Sequence, residues 1–369
     1  MGDNPRVFCV VGTRPEAVKM APVIRALKTD GWCNVRTIAT AQHREMLDQV
    51  LSLFDIAPDV DLDLMTKNQA LSQLTARIIN AMDDVLRGER PAAVLAQGDT
   101  TTVMATALVC FYHRIPFGHV EAGLRTGDMT NPFPEEMNRV VAGRLAHWHF
   151  APTASARENL RREGVPSGSI HVTGNTVIDA LLDVAHRDLP IGVSLNAMQR
   201  LILVTAHRRE NFGAPLLSIC RAIRALAERN GDVQFLYPVH PNPNVSAVVN
   251  RELGGHPRVH LCAPLEYGAF VSAMRRSYIV LTDSGGVQEE APALGKPVLV
   301  MRSETERPEA VAEGVVSLVG SGFESIVTGT QTLLDDPVAY ARMARGVSPY
   351  GDGRAAGRIS KILRRELLP

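Results

Sequence analysis

Twelve short runs rich in β-branched and aliphatic residues recur along this chain, with stretches of helical period between them, and that alternation is the mark of parallel βαβ units. In the first half the strand candidates are Arg6 to Val11, Val35 to Thr40, Ala92 to Ala96, Phe117 to Val120, Trp148 to Phe150 and Ile170 to Val172. The second half repeats the scheme with Leu201 to Thr205, Val233 to Pro238, Val259 to Cys262, Tyr278 to Thr282, Pro297 to Met301 and Val315 to Val319. Two doubly wound α/β sheets fit this better than one, with the break in the polar, turn-rich region from Thr173 to Arg200. Ligands of such sheets bind beyond the carboxyl ends of the strands, so two facing domains predict a site in a central cleft. The unusual residues of this chain collect in those carboxyl-end loops.

The sharpest of them is Thr282-Asp283-Ser284-Gly285-Gly286-Val287-Gln288-Glu289-Glu290, a strand running through paired glycines into a helix with carboxylates. Glycines let a backbone approach a ligand closely, and the helix start offers unpaired N–H groups and a positive dipole end to a diphosphate. Glu290, about a turn further on, is placed to accept bonds from ribose hydroxyls. An ordinary strand-to-helix turn with solvated acids would read the same way, since Gly-rich turns are common in α/β proteins.

With 369 residues, 45% hydrophobic and 21% charged, the chain is expected to be globular and to form two domains. Lys plus Arg and Asp plus Glu balance at 39 each, so no global field favours nucleic acid or an anionic membrane. Phosphate binding must come from local placement. Cys9, Cys33, Cys110, Cys220 and Cys262 form no C-x-x-C pair and several sit in apolar runs, which reads as reduced packing thiols. Neither a signal peptide nor an apolar stretch of roughly 20 residues is present, predicting a soluble, cytoplasmic protein without membrane contact.

After the first strand, Gly12-Thr13-Arg14-Pro15-Glu16-Ala17-Val18-Lys19 has capping-box spacing at Thr13 and Glu16. Arg14 and Lys19 then lie near a strand's carboxyl end, as phosphate contacts or as solvated cations. Gln97-Gly98-Asp99-Thr100 follows the third strand candidate; Asp99 can cap a helix, do chemistry, or both. His119-Val120-Glu121-Ala122-Gly123-Leu124-Arg125 ends the next strand, and Asn131-Pro132-Phe133-Pro134-Glu135-Glu136 forms a proline-stiffened loop. Acids from three loops gathered on one rim raise each other's pKa toward useful values. In the second half, His207 beside Arg208 and Arg209 at a strand end reads as a phosphate contact rather than a core histidine. Asp59-Val60-Asp61-Leu62-Asp63 contains a D-x-D spacing, but its polar/apolar alternation predicts an edge strand with a solvated acidic face. No H-E-x-x-H, Cys/His ligand set, Walker loop or G-x-S-x-G appears, so no metal site is expected.

Taken together and in order, GTRPEAVKMAPVI, AQHREMLDQVL, QGDTTT, HVEAGLRTGD, NPFPEEMNR, AHRRENFG, PVHPNP and TDSGGVQEEAPALGKPVLVMRSETERPEAV resemble the non-hydrolysing UDP-N-acetylglucosamine 2-epimerases over nearly the full length. The resemblance implies the GT-B fold, with an N-terminal Rossmann-like domain at 1–173, a UDP-binding one at 174–350 and a C-terminal helix at 351–369 packing back on the first. It also implies a homodimer, no cofactor, and interconversion of UDP-N-acetylglucosamine and UDP-N-acetylmannosamine for surface-polysaccharide synthesis. Residue by residue, it assigns Asp99, Glu121, Glu135 and His207 to catalysis, with His207 by the diphosphate. Arg14 and Lys19 match phosphate-side cations, and Ser284, Gly285, Gly286, Glu290 and Arg307 match the UDP-binding set, with Phe270 against the uracil. Gln42, His43 and Arg209 match part of an allosteric site at which a second substrate molecule activates some bacterial members. Lys67 falls in a less constrained stretch. A hydrolysing epimerase or a GT-B glycosyltransferase using the same UDP pocket are the competing readings; a silent sensor would have lost the three acids.

The residue types suit an elimination. The C2 hydrogen of the sugar has no adjacent carbonyl, so departure of UDP from C1 must first make it acidic. Cations and helix N–H groups stabilise charge on the leaving diphosphate, while carboxylates remove a proton from one face of C2 and return one to the other.

Overall fold

The computed structural model describes residues 4–40, 44–64 and 69–368, so Gln42, His43 and Lys67 lie outside the described residues. Its contacts divide into two compact units, unit 1 comprising Met1–Ala180 with Tyr350–Pro369 and unit 2 comprising Leu181–Pro349. The first boundary falls inside a helix, Thr176–Ala185.

Unit 1 is built on seven strands, β1 (Arg6–Val11), β2 (Asn34–Ala39), β3 (Val60–Asp61), β4 (Ala93–Gln97), β5 (Phe117–Val120), β6 (Trp148–Ala151) and β7 (Ile170–Val172). They lie in the order β3-β2-β1-β4-β5-β6-β7, every pair parallel. The order reverses between β1 and β4, so the loops leaving those two strands diverge and leave room for a ligand, the topological switch point of a doubly wound sheet. β3 is the edge: Asp59, Asp61 and Asp63 are exposed while Val60, Leu62 and Leu64 are partly buried. The D-x-D spacing therefore serves a strand with one wet face.

Unit 2 repeats the plan with β8 (Arg200–Thr205), β9 (Val233–Pro238), β10 (Val259–Cys262), β11 (Ile279–Thr282), β12 (Val298–Val300) and β13 (Val316–Leu318) in the order β10-β9-β8-β11-β12-β13. All its pairs are parallel, and its switch point lies between β8 and β11.

The central strands are buried on both faces, as β4 and β11 show with no exposed residue. In unit 1, Phe8, Val10, Ile38, Val94 and Phe117 pack with Leu74, Ile78, Met82 and Leu86 of the helix Leu71–Glu89. In unit 2, Ile202, Val204, Phe235, Tyr237, Ile279 and Leu281 meet Ile219, Ile223 and Leu226 of the helix Ala214–Arg229. Each large aliphatic so covered contributes about 1.5–3 kcal/mol, which holds the strand ends rigid enough to aim loops. Cys9, Cys33, Cys110 and Cys220 are buried free thiols, and Cys262 is half-buried. Burial pushes the Cys33 thiol up to about 11 and the Cys220 thiol to about 12, so both stay protonated packing groups.

The last helix, Ala355–Leu367, returns to unit 1 and packs on the helix Arg14–Asp30. Ile359 and Leu363 are fully buried there. The Trp32 indole donates to Ser360 Oγ at 3.0 Å, and Ser360 donates to Asp30. Among the described residues no helix is long and apolar enough to cross a membrane.

Candidate active site

At the carboxyl end of β1, Thr13 caps the helix Arg14–Asp30, with Pro15 in its first turn and Gly31 ending it in the left-handed conformation. Glu16 closes the capping box and does more. Its buried carboxylate accepts from Gly12 N at 2.6 Å and Thr13 N at 2.7 Å and also takes the Thr100 hydroxyl. One acid thus ties the loop after β1 to the loop after β4, the two that part at the switch point. Burial raises the Glu16 carboxyl above its ordinary range, against the pull of these donors. Gly12 admits no side chain, since a Cβ would stand 2.6 Å from the hydroxyls of Thr40 and Thr102. Arg14 is exposed one residue into the helix, while Lys19, a turn on, is largely buried.

Lys19 faces Glu121. The Nζ donates to both carboxylate oxygens, at 2.6 and 2.8 Å. Asn175 Nδ2 donates to Oε1 at 2.9 Å, and Gln97 Nε2, from the end of β4, donates to Oε2. Glu121 itself sits just past β5 with φ of 64°, a conformation that costs a non-glycine residue about 1–2 kcal/mol and turns its carboxylate back over the sheet end. Its side chain is only 7% exposed, so three donors hold a nearly desolvated carboxylate in one orientation.

Asp99 lies beside this group. It is paired with Arg139 at 2.8 Å, and its backbone oxygen accepts from Asn138 Nδ2 at 2.9 Å. Burial raises its carboxyl above the ordinary range; Arg139 opposes that, Glu121 adds to it, Lys19 opposes it and Glu135 adds to it. The other two acids singled out in the sequence, Glu121 and Glu135, are thus within electrostatic reach of Asp99. Glu135 opens the helix Glu135–Leu145, half-buried, next to fully buried Glu136, which accepts from Thr126 N and Gly127 N at 3.1 Å and so pins the loop between β5 and that helix. His119 is buried, its Nε2 2.7 Å from Gly98 O, and burial lowers it to about 4: a neutral strut under the Asp99 turn.

In unit 2 the loops after β8 and β11 meet in the same manner. Thr282 Oγ1 accepts from Ser284 N at 2.9 Å, shaping the turn into the short helix Gly285–Glu290. A Cβ at Gly285 would approach the guanidinium groups of Arg208 and Arg307, at 3.6 and 3.7 Å, whereas one at Gly286, which is exposed, would meet nothing within 4 Å. Arg307 is aimed by a braced loop. Arg302, 8% exposed, grips Glu306 through two bonds of 2.9 Å and also holds Glu210; Arg307 Nε donates to Glu289. The Arg302 pair holds the Glu306 carboxyl down at about 2. Glu290 is buried and accepts from the Tyr267 hydroxyl at 3.2 Å, while Phe270, on the same helix as Tyr267, is half-buried. His207 is 40% exposed just past β8 and stacks on His240 with centroids 5.7 Å apart. Arg209 is exposed at the start of a short 3-10 turn.

Gln97, Asn175, Arg139 and Glu16 contact the acids or hold their loops, and the sequence marked only Glu16 among them, as a helix-capping residue. Asn175 lies in a polar stretch with no motif spacing. The Glu16 capping box was visible, but not its bond to Thr100, 84 residues on.

Two doubly wound parallel sheets, with a lysine-clamped carboxylate cluster at one switch point and an arginine-crowned glycine turn at the other, are α/β architecture of the GT-B kind. The family model described as UDP-N-acetylglucosamine 2-epimerase matches residues 25–364. A protein of that name from Yersinia pestis is 53% identical, over 97% of this chain and 98% of its own length. Among solved structures, a UDP-N-acetylglucosamine 2-epimerase of Listeria monocytogenes superposes with a TM-score of 0.93 at 45% identity, over 99% of this chain and 97% of that one. The Neisseria meningitidis enzyme, solved bound to UDP-GlcNAc, superposes with a TM-score of 0.87 at 46% identity, over 98% of this chain and 100% of that one. The chain belongs to the UDP-N-acetylglucosamine 2-epimerase family.

Proposed function

We propose that the protein interconverts UDP-N-acetylglucosamine and UDP-N-acetylmannosamine without releasing free sugar, in the cytoplasm and as a homodimer, to supply surface-polysaccharide synthesis. The observation that carries this reading is Glu121, a desolvated carboxylate clamped by Lys19, Gln97 and Asn175, with Asp99 raised beside it. Two carboxyl groups with unlike environments are what removal of a proton on one face and delivery on the other require. The C1–O bond breaks with its electrons going to the diphosphate, C2 gives its proton to a carboxylate, and a C1=C2 glycal remains. Reprotonation at the opposite face of C2 and attack of the diphosphate oxygen on C1 restore a UDP-sugar with C2 inverted. Arg307, His207 and the glycine turn receive the charge of the leaving group.

Purified protein incubated with UDP-N-acetylglucosamine alone in D2O is expected to place deuterium at C2 of both sugars, read by proton NMR. Epimer retaining its original C2 hydrogen would sink the elimination, and free N-acetylmannosamine would assign the hydrolysing alternative. Transfer only when an acceptor is added would mark a glycosyltransferase.

Gly286 supplies a local check on the diphosphate contact. Because a Cβ there meets no protein atom, Gly286→Ala is expected to fold normally and to be, if anything, up to about 1 kcal/mol more stable in its helix. UDP affinity, by calorimetric titration, is expected to fall about tenfold or more as the methyl displaces the phosphate from the N–H groups. Unchanged affinity would remove the turn from the diphosphate site.

A further inference from the structure

One carboxylate in unit 2 has no part in the scheme above. Asp283 follows β11 directly and is fully buried. Its Oδ2 accepts from His207 N at 2.9 Å, Arg208 N at 2.8 Å and Asn211 Nδ2 at 3.0 Å. Its Oδ1 takes no hydrogen bond among the described residues and lies 3.6 Å from His207 Nδ1. A buried carboxylate oxygen is costly to leave unpaired, and the His207 imidazole, on the loop after β8, lies within 3.6 Å of it.

We propose that Asp283 is the positioning residue for His207: Oδ2 fixes the backbone of the loop after β8, while Oδ1 accepts a hydrogen bond from Nδ1–H, leaving Nε2 to take up the second proton with which the ring donates to the diphosphate. The division of labour follows from the geometry. Three donors on one oxygen prevent the carboxylate from rotating, so the second oxygen has a set direction, and the ring must turn only slightly to meet it. Hydrogen bonds of catalytic groups are often long without ligand and tighten in the complex. A histidine fixed at one nitrogen by a buried acid has its tautomer and orientation set, the logic of hydrolase triads. The other charged groups facing the ring are His240, stacked on it at 14° between planes, and Arg208. Burial lowers the His207 imidazole from its ordinary value; Asp283 opposes this, and His240 and Arg208 reinforce it. Asp283 is therefore the one group among these that favours a proton on the ring.

This rests on the reading of His207 as a diphosphate contact, but its test does not depend on turnover. In the full chain with 15N-labelled histidine, long-range 1H–15N spectra should show His207 as the Nδ1–H tautomer, and Asp283→Asn, whose amide donates where Oδ1 accepted, should shift it to Nε2–H. A wild-type ring protonated at Nε2 alone would overturn the proposal. If the protein is an active epimerase, Asp283→Asn should lower kcat about 10²-fold with KM changed by less than about 3-fold. In a His207→Asn background the same change should cost less than about 3-fold, because the acid acts through the ring. An equal loss in both backgrounds would mean that Asp283 only holds the loop, and would also overturn it. Should Asp283→Asn fail to fold, the wild-type spectrum still decides the tautomer. Absence of turnover in the wild type would fell the epimerase reading and leave the NMR result to decide this one.

Discussion

Glu121→Gln is expected to turn over UDP-N-acetylglucosamine about 10²- to 10⁴-fold more slowly than the wild type, at nearly unchanged affinity for UDP. The amide keeps the shape of the carboxylate and an oxygen for Lys19, but it neither takes nor returns a proton at C2. Asp99→Asn and Glu135→Gln should likewise act on kcat, whereas Glu290→Ala and Arg307→Ala should act on binding, since those groups lie by the glycine turn of unit 2. Steady-state kinetics beside calorimetric UDP titration separates the two sets. Wild-type rates in all three carboxamide variants would show that the acids are structural.

The second large effect is on stability. Gly123 has φ of +92°, and a Cβ there would lie 2.3 Å from Ala156 O and 2.9 Å from Ala156 C. The obstacle is backbone, so no rotamer relieves it. Gly123→Ala is expected to cost about 2–5 kcal/mol, combining the left-handed penalty with forced displacement of the helix Ala154–Arg162. That corresponds to a Tm lower by on the order of 10 °C, measurable by calorimetry, and Gly286→Ala is the matching control without a clash. A Tm within 1 °C of the wild type, on the order of the error of the measurement, would refute the close approach.

Much of this architecture could be read from periodicity, because central strands buried on both faces are unbroken apolar runs and their ends are marked by glycine, asparagine and aspartate. All twelve strand candidates differ from the observed spans by no more than one residue at either end, as in Ala92 to Ala96 against β4 at Ala93–Gln97. Strand order was out of reach. Nothing local says that β1 lies against β4, yet that neighbourhood brings Glu16 to Thr100. For the same reason Lys19 and Glu121 could each be marked as functional but not as a pair, being 102 residues apart and joined only by the fold. Asp283 stood in a motif that drew attention to its glycines, and its buried contacts to the loop after β8 depend on the pairing of β8 with β11. Charge type is local information; charge partnership is topological.

Unit 1 is discontinuous: it is completed by Tyr350–Pro369, which follow all of unit 2 in the chain. At a synthesis rate of about 5–20 residues per second, unit 2 takes on the order of ten to thirty seconds to emerge. Throughout that interval the helix Arg14–Asp30 has no Ala355–Leu367 helix against it, and Trp32 has no Ser360 to receive its indole proton. The nascent first unit therefore waits with an apolar stripe open to water. A chain cut before residue 355 would keep every proposed catalytic acid and yet leave that stripe permanently uncovered, making such a fragment a target for proteolytic clearance.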